Sequence, residues 1–387
     1  MKENNKLFCD RDLLVIFCVT LIVVQGVTSI APAFPMISQA LGVSKKQVGL
    51  LITVFTLPGI FLAPLLGILS DRIGRKKMLV PSLFLFGISG TACAFTENFG
   101  LLLSLRFVQG LGAAALGSLN LTIIGDLYSG ETRLRALGYN STVLSIGAAV
   151  YPAMGGAMAL LGWQYPFMLS ITAIPVGMAV LHILDNPEPK GDEHIIEYLK
   201  NALRGMKNPR IYLLFIGTLA TFILLYGVLF SFFPFYLNEK FNADSFSTGL
   251  LISSVSIGTI VGSLNIANLS GRFTSRRLIL VSFILYAAAI ITTKFISSFF
   301  ALSLPVFIYG FANGINIPAT QTLLAERIPM EYRGAYMSVN SMILRAGQTA
   351  GPLFIGAAMT MGNDFIFYTS AVFSVLVFTL LSIRLTD

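Results

Sequence analysis

Gly67-Ile68-Leu69-Ser70-Asp71-Arg72-Ile73-Gly74-Arg75-Lys76-Lys77-Met78-Leu79 is a short charged turn between two apolar runs, Val48–Leu69 before it and Met78–Phe95 after it. Asp71, Arg72, Arg75, Lys76 and Lys77 crowd into this turn, while the flanking runs carry no charge. Spanning ~30 Å of hydrocarbon takes about 20 apolar residues in a helix, so the turn reads as the joint between two membrane helices. Gly74 permits a sharp reversal and Gly67 lets a second backbone come close. Asp71, at a helix end, can pair with Arg72 or Arg75 or cap a neighbouring helix.

The same alternation runs outward in both directions. Apolar runs of spanning length read as Leu13–Phe34, Val48–Leu69, Met78–Phe95, Leu101–Ile124, Leu137–Leu160, Tyr165–Leu184, Ile211–Leu237, Gly249–Leu269, Leu278–Ile296, Phe300–Leu324, Ala335–Met361 and Phe365–Ile383. The composition agrees: 55% of the 387 residues are hydrophobic and 11% charged, against roughly 25% charged in a soluble domain. A soluble fold could not hide so much apolar surface. The expected fold is therefore all-α and integral to the membrane, with twelve transmembrane helices. The polar start, Met1 to Asp12, and the long run after it read as a first span rather than a cleavable leader. Cys9, Cys18 and Cys93 lie near or inside apolar segments at no metal-ligand spacing.

An even number of spans puts both chain ends on one face. That face then holds 20 of the 26 Lys and Arg, against Lys45, Lys46, Lys240 and Lys294 on the other, with Arg106 and Arg345 inside the membrane. By the positive-inside rule the rich face is cytoplasmic, which assigns the +8 charge to topology and not to nucleic acid. One connection is long. It opens with Asp185-Asn186-Pro187-Glu188-Pro189, and Ile195, Ile196, Leu199, Leu203 and Met206 follow at helical spacing. That pattern predicts a surface amphipathic helix in the linker 185–210, between a bundle 1–184 and a bundle 211–387.

Those two parts are copies of each other. At an offset of 200 residues Gly49-Leu50-Leu51-Ile52 falls on Gly249-Leu250-Leu251-Ile252, Ser70 and Arg72 on Ser270 and Arg272, and Asn140-Ser141 on Asn340-Ser341. Gly147, Pro152 and Gly156 fall on Gly347, Pro352 and Gly356. Two six-helix bundles in pseudo-symmetry place a solute path on their shared axis near mid-depth, and let the bundles rock about it.

Three motifs resemble those of one family. Gly67 to Leu79 resembles the loop signature of the major facilitator superfamily, Gly-x-Leu-x-Asp-Arg-x-Gly-Arg-Arg/Lys-x-x-Leu. The second copy, Ser270 to Arg277, keeps the bases without the Asp or Gly. Arg106-Phe107-Val108-Gln109-Gly110-Leu111-Gly112-Ala113-Ala114 is similar to the family's fourth-span helix, whose Arg is implicated in proton-linked movement. Gly138, Gly147 and the run Tyr151-Pro152-Ala153-Met154-Gly155-Gly156 resemble the fifth-span motif of the drug:proton antiporter branch, with Tyr151 in place of one glycine. Glycines so spaced let helices pack backbone to backbone; Gly347, Gly351 and Pro352 repeat the pattern in the eleventh span. The resemblance implies the major facilitator fold, alternating access, proton-coupled efflux of a small solute, a monomer, no cofactor, and the plasma membrane of a prokaryote.

An intramembrane Arg costs ~2.5–3.5 kcal/mol even on the mild insertion scale, so Arg106 and Arg345 are expected to face protein or water. With them, Gln25, Gln109, Asn120, Tyr226, Tyr309, Asn313, Asn316 and Gln348 are the polar or aromatic residues expected to line the path. Gly67, Asp71, Arg72, Gly74, Arg75, Lys76, Asp126 and Arg133 are expected to form a conformational latch at the cytoplasmic ends. No Asp or Glu lies at a span centre; Asp126 and Glu326 sit at the ends of the fourth and tenth spans. A path with two arginines and no acid favours a neutral or anionic, partly hydrophobic solute. It leaves open an uptake symporter or facilitator for an anionic metabolite, and a lipid flippase. Neither His182 nor His194 has acids beside it within a span, which argues against an enzyme. No Gly-x4-Gly-Lys-Ser/Thr loop is present, so pumping would draw on an ion gradient.

Overall fold

A computed structural model of the chain describes Leu7 and residues 10–184, 209–328 and 333–385. The surface helix expected of the linker 185–210 lies outside the described residues, apart from the last two. The described residues form helices joined by tight turns. They group into twelve rods: α1 Arg11–Leu41, α2 Lys45–Ile73, α3 Arg75–Phe95, α4 Phe99–Leu127, α5 Gly130–Ala159, α6 Tyr165–His182, α7 Arg210–Phe241, α8 Ser245–Ser270, α9 Ser275–Phe295, α10 Phe300–Glu326, α11 Arg333–Ala358 and α12 Asn363–Arg384. Eleven are long and apolar enough to cross a membrane by length and composition. The exception is α11, which interrupts its apolar run with Asn340, Arg345 and Gln348.

Several rods outrun the apolar stretches that announced them. Helix α1 reaches Leu41 and not Phe34, because the chain takes a 3₁₀ turn at Ala31–Ala33 around Pro32 and then resumes as α-helix from Phe34. Helix α2 continues to Ile73, carrying the first charges of the loop on its last turn. Helix α7 widens into a π-helix over Leu224–Phe232, just before Pro234. Proline has no N–H to donate, and wide turns of this kind appear where the regular ladder is interrupted.

The repeat is written into the turns as well as the helices. Gly42 closes α1 in the left-handed conformation at φ +62°, and Asn242 closes α7 at φ +51°. Two residues later Ser44 caps α2 and Asp244 caps α8. Ser44 accepts from the Gln47 amide in a capping box, and Asp244 accepts from the Ser247 amide at 2.6 Å. Large apolar side chains such as Phe61, Ile88, Phe354 and Leu376 are more than half exposed, as befits a surface that meets hydrocarbon.

The two bundles meet along reciprocal seams. Helix α8 of the second lies on α5 of the first, and α2 of the first lies on α11 of the second. A Cβ added at Gly249 would stand 2.2 Å from the Pro152 carbonyl; one at Gly49 would stand 3.5 Å from Pro352. These are the two halves of one symmetric contact, since Gly49 and Gly249 correspond, as do Pro152 and Pro352.

Candidate functional site

The site is built around the seam. Call the face that carries the chain ends the terminal face, and the other the far face. Toward the far face the halves are locked together. Ser256 donates to the Ala148 carbonyl at 2.8 Å, and Thr53 to the Thr349 carbonyl at 3.0 Å. The Thr56 and Thr349 hydroxyls meet at 2.8 Å. A Cβ at Gly156 would be 2.2 Å from the Ser245 carbonyl, so α5 and α8 touch backbone to backbone there. Lys45 forms an ion pair with Glu239 across the halves, and Phe34 packs on Phe235 with ring centroids 6.4 Å apart. Toward the terminal face α5 and α8 diverge in character: Leu134 is 70% exposed and Leu264 74%.

Arg345 crosses the seam at mid-depth. It leaves α11 and lies against Gly59 of α2 and Gly117 of α4, whose added Cβ atoms would stand 3.1 Å and 2.8 Å from it. Both glycines thus make room for the guanidinium. Tyr226 of α7 is near enough to interact with it electrostatically, and stands in a ladder with Phe222 and Phe230 at centroid distances of 6.3 and 5.3 Å. Gln348, one turn beyond Arg345, is buried with its Oε1 unpartnered. In α1, Gln25 is 1% exposed and neither amide atom has a hydrogen-bond partner.

Arg106 is placed differently. It is buried inside the first bundle, donating to the Gly26 carbonyl of α1 at 2.8 Å, the Leu51 carbonyl of α2 at 3.2 Å and Gln109 Oε1 at 2.6 Å, and lying 4.2 Å over the Phe55 ring. Gln109 in turn donates to Ser170 of α6 at 2.9 Å. Asn120 donates to Thr20, which donates to Asn140 at 2.5 Å, tying α4, α1 and α5. The fourth-span face therefore staples the first bundle from within.

The tenth-span residues divide. Asn313 accepts from Tyr286 of α9 at 2.7 Å, and the Tyr309 ring lies tilted against the same ring with centroids 4.8 Å apart, so these two turn into the second bundle. Asn316 and Thr320 instead line a cleft between α7, α10 and α11. Thr218 and Tyr286 had no distinguishing pattern in the sequence, since a lone hydroxyl in an apolar run reads as ordinary helix. The repeat held a signal for Thr218: Asn140 bonds Thr20, and its counterpart Asn340 accepts from Thr218 at 2.9 Å.

At the charged loop, Gly74 has φ +109°, a conformation that favours glycine, and it ends α2 and begins α3 without a break. Arg75 is 7% exposed and donates to Asp126 at the end of α4 at 2.9 Å, and to Ser70 at 2.5 Å. Lys76 donates to the Leu184 carbonyl at 2.9 Å. Arg133 lies over the end of α4, 2.9 Å from an added Cβ at Gly125, while Arg72 is exposed. These partners belong to the first bundle. Gly67 shares α2 with Asp71, which precedes Arg72 on its last turn.

The glycine motif packs helices at three of its positions. A Cβ at Gly155 would stand 1.9 Å from the Ser29 carbonyl of α1, and one at Gly147 2.9 Å from Leu21. The Tyr151 ring folds back over Gly147 one turn away, at 3.4 Å from that same point. Gly347 and Gly351 seat α11 on α7, where added Cβ atoms would stand 2.7 Å from the Leu219 and Ile223 carbonyls. Gly138 differs, with nothing within 4 Å of its added Cβ.

Comparison with known proteins bears on all of this. The family model described as Major Facilitator Superfamily matches residues 16–248 and again 214–387. The chain is 28% identical over 381 residues to the bacillibactin exporter of Bacillus subtilis, covering 94% of each chain. It is 27% identical to multidrug resistance protein 1 of the same organism, covering 90% of this chain and 89% of that one. Among solved structures, a bacterial homologue of the human lysosomal transporter Spinster, inward-facing and occupied, superposes with a TM-score of 0.81 at 18% identity over 96% of each chain. The nucleoside transporter NupG superposes with a TM-score of 0.82 at 14% identity, over 97% of this chain and 100% of that one.

Proposed function

Because the chain belongs to the major facilitator superfamily, we propose that it is a secondary transporter exporting a small, neutral or anionic and partly hydrophobic solute by alternating access, coupled to protons. The observation that carries the chemistry is Arg345: a cation crossing the seam at mid-depth, beside the Tyr226 ladder, in spans whose centres hold no carboxylate. A cation at mid-depth in a membrane attracts an anion or an oxygen dipole and repels an ammonium. Export is supported by a relative that spans nearly the whole chain and is named for it, the bacillibactin exporter.

The moving bodies on this reading are 1–184 and 211–387, joined by 185–210, and the terminal face is the cytoplasmic face of a bacterial plasma membrane. The far-face contacts are then the closed gate, and opening it means parting Gly49 from Pro352 and Gly249 from Pro152. Gln25, Tyr226, Arg345 and Gln348 line the path; Arg106, Gln109 and Asn120 hold the first body rigid while it rocks. Tyr309 and Asn313 do the same in the second.

The test is flux through the purified protein in liposomes, with matched cationic, neutral and anionic aromatic solutes under imposed pH gradients of either sign. Uphill movement of neutral or anionic solutes against an opposed proton flow is expected. Rapid export of a permanent lipophilic cation would overturn the charge argument. The carboxylate-free spans favour one alternative, a symporter or facilitator for an anionic metabolite, and accumulation of the solute along the proton flow would select it.

A further inference from the structure

We propose that the cleft between α7, α10 and α11 is a subsite for an oxygen acceptor on the solute, a carboxylate, carbonyl or phenolate oxygen, and that it refuses an ammonium group. The proposal rests on the transport reading and narrows it to one chemical group at one place.

The cleft is narrow, with room inside it for about one water-sized group such as a single oxygen head, and its polar lining is Thr218, Thr221, Asn316, Thr320, Gln321 and Asn340. None of these is charged. What matters is which hydrogen-bonding capacity is already used. Thr218 gives its proton to Asn340 Oδ1 at 2.9 Å, Thr320 to Asn316 Oδ1 at 3.0 Å, and Thr221 to the Gly217 carbonyl at 2.8 Å. The hydroxyl protons are thus committed, and each asparagine oxygen already accepts one. The amide nitrogens remain, and each carries two donors. Asn316 is 2% exposed, and its Nδ2 completes no hydrogen bond, although the Tyr286 hydroxyl lies close to this side chain. A buried donor left unmade carries a free-energy penalty, so an acceptor placed there relieves it.

Charge points the same way. Leu344 forms part of the wall, and the next residue along α11 is Arg345; Phe222, also in the wall, is one turn before Tyr226 in α7. An ammonium entering the cleft would bring its own donors against the Asn316 amide donor, in a bundle whose mid-membrane charge, Arg345, is positive.

The first bundle shows what has changed. There Thr20, Asn120 and Asn140 close on one another, and Leu116 is fully buried. At the offset of 200 the second bundle has Thr320 for Asn120, which is shorter, and Asn316 for Leu116, which is polar. One exchange opens space and the other supplies its donor.

Benzoate, benzamide and benzylammonium share a ring and differ in the head group, so they serve as probes. Equilibrium binding to the purified full chain is expected to be saturable for benzoate and benzamide, and at least about tenfold weaker for benzylammonium. Asn316→Leu, similar in size without the N–H, should weaken benzamide by about tenfold, the worth of one such hydrogen bond. Asn316→Asp should reverse the order of benzamide and benzylammonium, and it keeps the test alive if the leucine variant fails to fold. Saturable binding of neither acceptor probe, equal binding of benzylammonium, or benzamide affinity unchanged in both variants would each overturn the proposal. Flux separates this from the transport reading. Solute movement with binding independent of Asn316 sinks the subsite alone, whereas Asn316-dependent binding in a chain that moves no solute sinks transport and leaves the subsite.

Discussion

Gly249 of α8 rests on the carbonyl of Pro152 in α5 so closely that a Cβ there would stand 2.2 Å from the oxygen. The absent side chain of Gly249 is what makes the approach possible, while Pro152, which has no N–H, leaves the Ala148 carbonyl one turn earlier free to accept from Ser256. The symmetric contact is looser. A Cβ at Gly49 would meet the Ser231 hydroxyl first, at 2.9 Å, and Pro352 only at 3.5 Å. Two seams that correspond in sequence therefore differ in what they tolerate.

Gly249→Ala should weaken the far-face seal by about 1–3 kcal/mol, the usual cost of overpacking, while Gly49→Ala, facing a hydroxyl that can rotate away, should cost less. Cysteines placed at Lys46 and Ser245 read this as labelling from the far face. Gly249→Ala is expected to raise the labelling rate several-fold more than Gly49→Ala. Equal rates in the two variants would mean that the seam does not set the gate.

Gly138 offers the opposite case. With nothing within 4 Å of its added Cβ, Gly138→Ala should be neutral or stabilising by up to about 1 kcal/mol from helix propensity. If α5 closes on α8 at this depth when the terminal face shuts, Gly138→Trp should hold the present arrangement. The check is thermal stability for the alanine variant, and far-face labelling for the tryptophan variant, which should fall below the parent.

Much of this architecture was legible because it depends on counting. Twelve apolar runs and an offset of 200 residues need no side-chain geometry. The offset even carries the caps, with Gly42 and Ser44 answered by Asn242 and Asp244. Direction around a helix was harder to read. Arg106 and Arg345 look alike in an apolar run, yet one bonds the Gly26 and Leu51 carbonyls inside a bundle and the other crosses the seam. Tyr309 and Asn316 lie two turns apart on one stripe, but the stripe turns from α9 toward α7 along its length, since packed helices cross at an angle. Pairings of this sort depend on the neighbour, which the stripe alone does not name.

The Lys45–Glu239 pair joins the start of α2 to the end of α7 across the halves, with each side chain roughly four-tenths exposed (38% and 39%). Exposed pairs contribute about 0.2–1 kcal/mol, so Glu239→Gln should shift the far-face equilibrium only a few-fold toward open, and less at high salt. The charge swap Lys45→Glu with Glu239→Lys should restore it. Labelling at Ser245→Cys measures both. A swap no better than Glu239→Gln would show that the residues act separately.

Arg106 should behave as a staple. Arg106→Ala removes donors from two carbonyls and from Gln109 in a fully buried place, and should lower stability by about 3 kcal/mol or more. Arg106→Lys, a point charge without the planar fork, should recover only part. Unfolding in detergent without any solute checks this. A melting temperature equal to the parent's would remove Arg106 from the framework.

Arg345 should show the reverse signature. Its guanidinium sits in space left by Gly59 and Gly117, and the residue is only partly buried, so Arg345→Ala should leave the melting temperature near the parent's. Flux is where it should be felt. A mid-membrane cation facing a solute anion contributes through charge-assisted contacts of about 1.5–3 kcal/mol, which is about ten- to a hundredfold in anion affinity. Transport of an anionic solute should fall by that factor, and that of its neutral isostere by much less. Arg345→Lys, which keeps the charge, should hold an intermediate place. Charge alone is the contrast these variants isolate, so an equal loss for the anion and its neutral isostere would assign Arg345 to the seam's packing and not to the solute.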